Sequence, residues 1–289
     1  AQGLGAAHAL ALARRGARVL VADLAEPATT VAAILQHGGE AAGTVADLGT
    51  AGGCDAALDA ALATYGNLDI LVNNAGVVRD RMSFNLSRTD WDVVLAVNLS
   101  ASFHLARGAV RLWRADRLPG EHVIINTSSE SGLYGNVGQA NYAAAKAGVA
   151  ALTLTLATEL QRYGVRVNAI APRARTPMSA AAFGALPRYD SFDPFAAEHV
   201  SEVVVWLASR AAAGVTGQVL VTHGGGVEVM RPWSAVRRLT RHAAWSDEEL
   251  VCLRDALFPD GVVRHMAEPV ERLFVSAGVK ESADHVDRD

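Results

Sequence analysis

The sequence predicts an α/β fold in which a doubly wound parallel sheet is covered by helices on both faces. Short runs of β-branched and aliphatic residues alternate along the chain with longer stretches of helical periodicity. The short runs contain few polar positions, as expected of strands that are buried on both faces. Polar side chains follow several of these runs, and in such a sheet they would meet at one edge.

The predicted strands are residues 18–23, 69–74, 122–126, 165–170 and 218–221, and a further strand is expected to end at Asp47. The predicted helices are residues 6–15, 29–36, 55–64, 91–113, 142–163 and 201–208. Strands that alternate with helices in this way form βαβ units with right-handed crossovers. Ligand groups are then expected at the carboxyl ends of the strands.

The 289 residues predict one main domain, residues 1–226, and a helical extension, residues 227–289, packed on it. Within the extension, Ser246 and Glu249 have the spacing of a capping box at a helix start. The extension also carries a basic cluster, Arg231, Arg237, Arg238 and Arg241. We expect this cluster to be a solvated basic face, with contact to the phosphate groups of a ligand as the alternative.

Composition excludes several classes of protein. A net charge of −4 predicts no attraction to nucleic acid or to an anionic membrane. Cys54 and Cys252 lie far apart, and the nine histidines share no ligand spacing, so no disulfide framework and no metal are predicted. We expect a cytoplasmic protein with buried thiols, no signal peptide and no membrane-spanning segment.

The chain begins with loop-type residues, and Gly3-Leu4-Gly5 immediately precede a predicted helix. A glycine-rich turn at a helix N-terminus lets backbone amides approach a pyrophosphate, although an ordinary tight turn is the alternative. Because no strand precedes this turn, we expect that the natural protein has further residues before Ala1.

Acidic residues at two strand ends extend the predicted nucleotide site. Asp23 lies at the end of the strand after the glycine turn, where a carboxylate accepts hydrogen bonds from ribose hydroxyls and repels a 2′-phosphate. This position favours NAD over NADP. Asp47, followed by Leu48, is placed to contact the adenine amino group, with a plain loop position as the alternative.

Tyr142 and Lys146 are four residues apart, so a helix would place both side chains on one face. A nearby ammonium group favours the phenolate, so Lys146 is predicted to lower the pKa of Tyr142. Ser129 follows a predicted strand and is suited to hold a substrate oxygen, with Ser128 as a competing candidate. Asn98 is a poor helix former inside a predicted helix, which indicates a special role such as holding a relay water.

Together these residues resemble the short-chain dehydrogenase/reductase family, whose fold is Rossmann-like. The matching positions are Gly3-x-Gly5, Asp23, Asp47, Asn73-Asn74-Ala75-Gly76, Asn98, Ser129, Tyr142-x-x-x-Lys146 and Ala171-Pro172. The resemblance selects Ser129 over Ser128 and implies that Tyr142 is the acid–base group. It also implies that Lys146 binds the nicotinamide ribose and that Asn98 holds the relay water.

The resemblance further implies a cofactor site and an assembly. It adds cofactor contacts from Asn74, Ala75, Gly76, Pro172 and Thr176 to those named above. Pairing through the helices 91–113 and 142–163 implies a homodimer or homotetramer.

A narrower resemblance, to the dehydrogenase part of the peroxisomal multifunctional enzyme type 2, is visible in residues 73–81, 90–92, 131–142, 198–200 and 206–207 and in the tail after Gly226. It implies NAD-dependent oxidation of a (3R)-3-hydroxyacyl-CoA. A hydroxysteroid and a carrier-bound or polyketide intermediate are the alternative substrates, and a non-catalytic NAD sensor is the alternative class. The sequence departs from this relative at residues 173–176, which are more basic, and Phe183, Leu186, Tyr189 and Phe192 are candidates to line an apolar pocket.

Overall fold

The computed structural model describes residues 2–115, 121–179, 192–231, 233–240 and 244–259. Its strands are β1 (Arg18–Asp23), β2 (Glu40–Val45), β3 (Ile70–Asn73), β4 (His122–Thr127), β5 (Val165–Pro172), β6 (Val219–His223) and β7 (Gly226–Met230). Its helices are α1 (Gly3–Arg14), α2 (Ala28–Gln36), α3 (Ala51–Tyr65), α4 (Arg88–Leu95), α5 (Ala101–Ala115), α6 (Glu130–Tyr134), α7 (Ala140–Leu160), α8 (Ala197–Ala208) and α9 (Asp247–Leu257).

The strands form two hydrogen-bonded groups with parallel pairing. β1 pairs with β2, and β3, β4, β5 and β6 follow one another in a second sheet. The predicted fold class is therefore confirmed. β7 was not predicted: it pairs antiparallel to β6, so the sheet continues to Met230, past the predicted domain boundary at Gly226.

The core lies on both faces of the central strands, because neighbouring residues of a strand point to opposite faces. Ile124 and Val167 face a cluster formed with α3, α5 and α7. Val123 and Ile125 face a second cluster, which contains Val200, Val204 and Leu207 of α8. The result is a three-layer arrangement in which the strand ends of β3, β4 and β5 are held rigidly.

Several predicted helices differ in detail from those observed. α1 begins at Gly3 instead of Ala6. The predicted helix 91–113 consists of α4, a π-helical turn (Ala96–Ser100) and α5. The short helix α6 was not predicted, since its sequence, Glu-Ser-Gly-Leu-Tyr, has no helical periodicity of useful length. These departures lie next to the candidate site described below.

Two helical segments among the described residues, Arg88–Ala115 and Ala140–Tyr163, are long and apolar enough to cross a membrane by length and composition alone. The expectation that the chain has no membrane-spanning segment therefore stays a prediction. Both segments contribute side chains to the core, and core helices of other proteins pass the same test, so the finding is weak evidence for a membrane span.

The helix start predicted in the extension is confirmed. The Glu249 amide donates to Ser246 Oγ over 3.3 Å, and the Ser246 amide donates to Glu249 Oε2 over 2.8 Å. These two bonds form a complete capping box at the start of α9. No residue of α9 is buried among the described residues, so packing of the extension on the main domain stays a prediction.

A buried histidine on α1 makes the stability of the fold depend on pH. His8 Nδ1 lies 2.8 Å from Ser201 Oγ of α8, and burial lowers the pKa of His8 from 6.5 to about 4.

Below pH 6.5 the unfolded chain binds a proton at His8 that the folded chain does not. The unfolding free energy should therefore fall as the pH drops from 6.5 towards 4, by roughly 2 to 3 kcal/mol. Urea unfolding at a series of pH values should show this loss in the wild type and a shallower one in His8→Gln. Equal slopes in both proteins would contradict the assignment to His8.

Candidate active site

Polar residues from neighbouring strands gather at the carboxyl edge of the sheet. Asn74 follows β3, Ser129 follows β4, and β5 ends at Pro172. The preceding Asn73 points inward, where its Nδ2 donates to Asn126 Oδ1 over 2.8 Å. Asn73 therefore links β3 to β4 beneath the site. Of these two asparagines, Asn74 is the one that faces the site.

The two candidate serines have different environments. Ser128 is fully buried, and its hydroxyl donates to the carbonyl oxygen of Lys146 over 2.9 Å. Ser129 caps α6, accepting from the Ser131 amide over 3.2 Å, and its side chain acts to lower the pKa of Tyr142. The geometry therefore favours Ser129, because the Ser128 hydroxyl is occupied by the backbone of α7.

Tyr142 and Lys146 lie one turn apart on α7, as predicted. The Lys146 ammonium is 5.6 Å from the centroid of the Tyr142 ring and donates to the carbonyl oxygen of Thr127 over 2.8 Å. Ser129, Tyr142 and Lys146 are thus brought together. Asn141 precedes the pair and fixes the start of the helix, since its Oδ1 accepts from the Tyr142 amide over 2.8 Å.

The predicted direction of the tyrosine pKa was wrong. Burial raises the pKa of Tyr142, the hydrogen bond from Ser129 opposes that rise, and the Asp80 carboxylate adds to it. Burial also lowers the pKa of Lys146 from 10.5 to about 8, because its ammonium is removed from water. In this structure the tyrosine is therefore the protonated, acid member of the site at neutral pH.

Asn98 is buried in the π-helical turn and borders Lys146. Its Nδ2 donates to the carbonyl oxygens of Val77 and Val94, over 2.8 and 2.9 Å. Its Oδ1 is buried without a partner among the described residues. A Cβ placed on Gly76 would lie 2.7 Å from that Oδ1 and 3.7 Å from Lys146 Nζ, so both polar atoms face the space beside Gly76. An acceptor and a donor facing one space suit a bound water, and the relay role stays a prediction.

The start of α1 fits a pyrophosphate. No side chain caps its first turn, so its amide groups are left for another acceptor. A Cβ on Gly5 would lie 2.8 Å from Asn74 Nδ2, which shows how closely the turn approaches the end of β3. Gly3 has a φ of +53° and lies against Thr176, beside which a Cβ would come within 3.3 Å. Gly3, Gly5, Asn74 and Thr176 therefore border one cradle, with Leu4 between the glycines.

Asp23 lies at a strand end as predicted, whereas Asp47 lies two residues beyond β2, which ends at Val45. Asp23 is the last residue of β1, and its Oδ1 accepts from the Ala25 amide over 3.1 Å. Asp47 is exposed, and its Oδ1 accepts from the Gly49 amide over 2.9 Å. Leu48 packs partly buried against the core, and Ala75 is exposed between Asn74 and Gly76.

The sequence analysis missed two features of the site, and most of the predicted apolar pocket lies outside the described residues. Gly132 of α6 packs directly on the backbone of α7 at Lys146, and its lack of a side chain was the only sequence signal. Arg173 forms ion pairs with Glu130 and Glu228 and was noted only as a basic departure. Of the four apolar pocket candidates, Phe183, Leu186 and Tyr189 lie outside the described residues. Phe192 is described, and its ring lies 4.8 Å from that of His199.

Comparison with known proteins agrees with this geometry. The family model described as short chain dehydrogenase matches residues 1–184. The hydroxyacyl-CoA dehydrogenase ChsB1 of Mycobacterium tuberculosis is 46% identical over 88% of this chain and 85% of its own length. The mouse peroxisomal multifunctional enzyme type 2 is 36% identical over 83% of this chain, which spans 32% of that longer protein.

A solved structure has the same fold. A short chain dehydrogenase from Mycobacterium avium superposes with a TM-score of 0.83 at 39% identity, covering 91% of this chain and 93% of its own. The chain belongs to the short-chain dehydrogenase family and is an oxidoreductase that acts on CH–OH groups with a nicotinamide dinucleotide as cofactor.

Proposed function

We propose that this protein oxidises the secondary alcohol of a 3-hydroxyacyl-CoA and that it uses NAD. The observation that carries the proposal is the grouping of Ser129, Tyr142 and Lys146, with Asn98 and Lys146 both facing the space beside Gly76. The 46% identity to a protein named hydroxyacyl-CoA dehydrogenase, over most of both chains, supports the substrate class.

In the oxidation direction, Tyr142 first loses its own proton, and the phenolate oxygen Oη then takes the proton of the substrate hydroxyl. Ser129 Oγ lies next to Tyr142 and holds the same substrate oxygen by a hydrogen bond. The cradle bordered by Gly3, Gly5, Asn74 and Thr176 would hold NAD, which would supply the acceptor for the hydride of the carbinol carbon. Lys146 and Asn98 border a common space behind Tyr142, where a water between them would carry the proton away. In the reverse direction, the protonated tyrosine donates to a ketone.

Thioester substrates separate the competing proposals. NADH absorbance should increase with 3-hydroxyacyl-CoA thioesters of the R configuration and remain flat with 17-hydroxysteroids. Two relatives named 3-oxoacyl-[acyl-carrier-protein] reductase, from Thermotoga maritima and a Synechocystis strain, are 42% and 37% identical to this chain, so carrier-bound thioesters belong in the same assay. A higher kcat/KM for carrier-bound substrate would replace the CoA proposal. NAD binding without turnover of any alcohol would favour the non-catalytic sensor.

Replacing Asp23 by serine should relax the preference for NAD. The carboxylate lies at the end of β1, where it is suited to accept from ribose hydroxyls, and hydrogen bonds to a charged group contribute about 1.5 to 3 kcal/mol. The ratio of kcat/KM for NAD to that for NADP should therefore fall by roughly 10- to 100-fold. Asp47→Ser, which removes an exposed carboxylate just beyond the next strand, serves as the control and should leave the ratio within about threefold. A wild-type protein that already prefers NADP would contradict the role given to Asp23.

We also propose that the protein pairs through the faces of α4, α5 and α7 that point away from the sheet. Trp91 and Phe103 are 37% and 44% exposed on these helices, although such side chains are usually buried. Light scattering at micromolar concentration distinguishes a dimer from a tetramer, and a monomer would contradict the proposal.

A further inference from the structure

One buried arginine connects three parts of the site that are far apart in the sequence. Arg173 directly follows β5, and its side chain is only 5% exposed. Its Nε and Nη2 donate to the two carboxylate oxygens of Glu130, over 2.8 and 2.7 Å. Its Nη1 donates to Glu228 Oε1 of β7, over 2.7 Å. All three guanidinium nitrogens thus donate to carboxylate oxygens, an arrangement that the single ammonium group of a lysine is unable to reproduce.

The arginine is itself held rigidly. Its backbone amide donates to the carbonyl oxygen of Thr222 over 2.8 Å, which continues the pairing of β5 with β6. The guanidinium therefore projects from the central sheet and not from a free loop. A bidentate contact from such an anchor fixes both the position and the tilt of the carboxylate that it binds.

Glu130 directly follows Ser129 and is the first residue of α6. On its other side α6 is pressed against α7, where Gly132 lies within van der Waals contact of the Lys146 backbone. A second contact to β7 runs from Tyr134 Oη to Met230 Sδ, 3.6 Å away. The short helix is thus held between α7, which carries Tyr142 and Lys146, and the Arg173 anchor.

We infer that Arg173 is a positioning residue for the reaction, holding Glu130 and with it the start of α6, so that its N-cap residue Ser129 stays beside Tyr142. The inference rests on the roles proposed above for Ser129 and Tyr142, and it does not depend on which alcohol is the substrate. Without the guanidinium, Glu130 and Glu228 are like charges on neighbouring elements, and their repulsion moves α6 away from β7. Ser129, as the N-cap of α6, moves with it.

The test compares Arg173→Met with the wild type, using any alcohol that the wild type oxidises. The variant should lower kcat by roughly 10- to 100-fold, as expected for displacement of a positioned group by about 1 Å. The KM for NAD should stay within about threefold, because the glycine turn and Asp23 are untouched. The pH at which oxidation reaches half its maximal rate should rise, since Tyr142 loses the hydrogen bond that favours its ionised form. Arg173→Lys should recover only part of kcat.

Two further variants separate positioning from other causes. Arg166→Met is the matched control, because Arg166 is a buried arginine at the other end of β5 and donates only to backbone carbonyls of residues 207, 209 and 212. It should lose thermal stability and keep the wild-type pH profile. Glu130→Gln removes a negative charge, so a purely electrostatic effect would shift the profile to lower pH, whereas loss of positioning shifts it to higher pH.

The outcomes are therefore distinct. A wild-type pH profile in Arg173→Met, or the same shift in Arg166→Met, would overturn the inference. If Arg173→Met does not fold, Glu130→Gln decides alone, and a shift to lower pH or none would overturn it. Failure of the proposed function is recognised separately, because a catalytic role for Tyr142 is tested in a protein that retains Arg173.

Discussion

Replacing Tyr142 by phenylalanine should lower kcat for alcohol oxidation by roughly 100- to 10,000-fold, the range that general acid–base groups contribute. The change removes one hydroxyl group from a half-buried ring and leaves the cradle at the start of α1 intact. The dissociation constant for NAD, measured by quenching of tryptophan fluorescence, should therefore stay within about threefold.

The pH dependence provides a second measurement on the same variant. Because burial raises the pKa of Tyr142, the wild-type rate of oxidation should increase as the pH rises above neutral, and the rate of reduction should fall. The residual activity of Tyr142→Phe should lack this dependence. Tyr163→Phe is the control, since Tyr163 lies at the far end of the same helical segment and contacts Arg114 and Arg162. Turnover of Tyr142→Phe at the wild-type rate would exclude the tyrosine as the acid–base group.

A methyl group added at Gly132 should have the second largest effect on activity. In Gly132→Ala the new Cβ would lie 2.5 Å from the Ala147 amide nitrogen and from the carbonyl carbon of Lys146. These are backbone atoms of α7 and have no rotamer by which to move aside, so α6 and α7 must separate. We expect kcat to fall by about 100-fold and the unfolding free energy to fall by roughly 1 to 3 kcal/mol.

Gly52→Ala is the matched control for this prediction. Gly52 lies in the first turn of α3, and a Cβ placed there would meet nothing within 4 Å. Alanine should therefore be neutral or stabilising by up to about 1 kcal/mol, as helix propensity indicates. If Gly132→Ala retains the wild-type kcat, the close approach of α6 to Lys146 has no part in organising the site.

The strands were predictable from local pattern, and β7 shows where that pattern ends. β1, β4 and β5 are short apolar runs, and each of these strands begins at the predicted residue. β7 follows a run of glycines, and its middle residues Val227, Glu228 and Val229 are exposed. An exposed edge strand buries too little apolar surface to produce an uninterrupted hydrophobic run, so periodicity alone gave no reason to extend the sheet.

The members of the site were predictable where one element supplies them. Tyr142 and Lys146 share a helix, so their spacing alone placed them together. Glu130 and Glu228 meet Arg173 from sequence separations of 43 and 55 residues, which no local pattern records. The direction of the Tyr142 pKa failed for a related reason. Sequence spacing indicates how close a cation lies to Tyr142, but it does not show how far the hydroxyl is removed from water. Here that burial has the largest effect on the Tyr142 pKa.

The π-helical turn changes how any substitution at Asn98 must be interpreted. In an α-helix the carbonyl oxygen of Val94 would accept the backbone amide of residue 98, and here it also accepts the side-chain amide of Asn98. The same Nδ2 group also donates to the carbonyl oxygen of Val77, so the Asn98 side chain stabilises the backbone around the π-helical turn. A loss of rate in Asn98→Ala would combine any loss of the proposed water relay with the loss of two hydrogen bonds to backbone carbonyls. Kinetics at this position therefore report on catalysis only when the unfolding free energy is measured alongside.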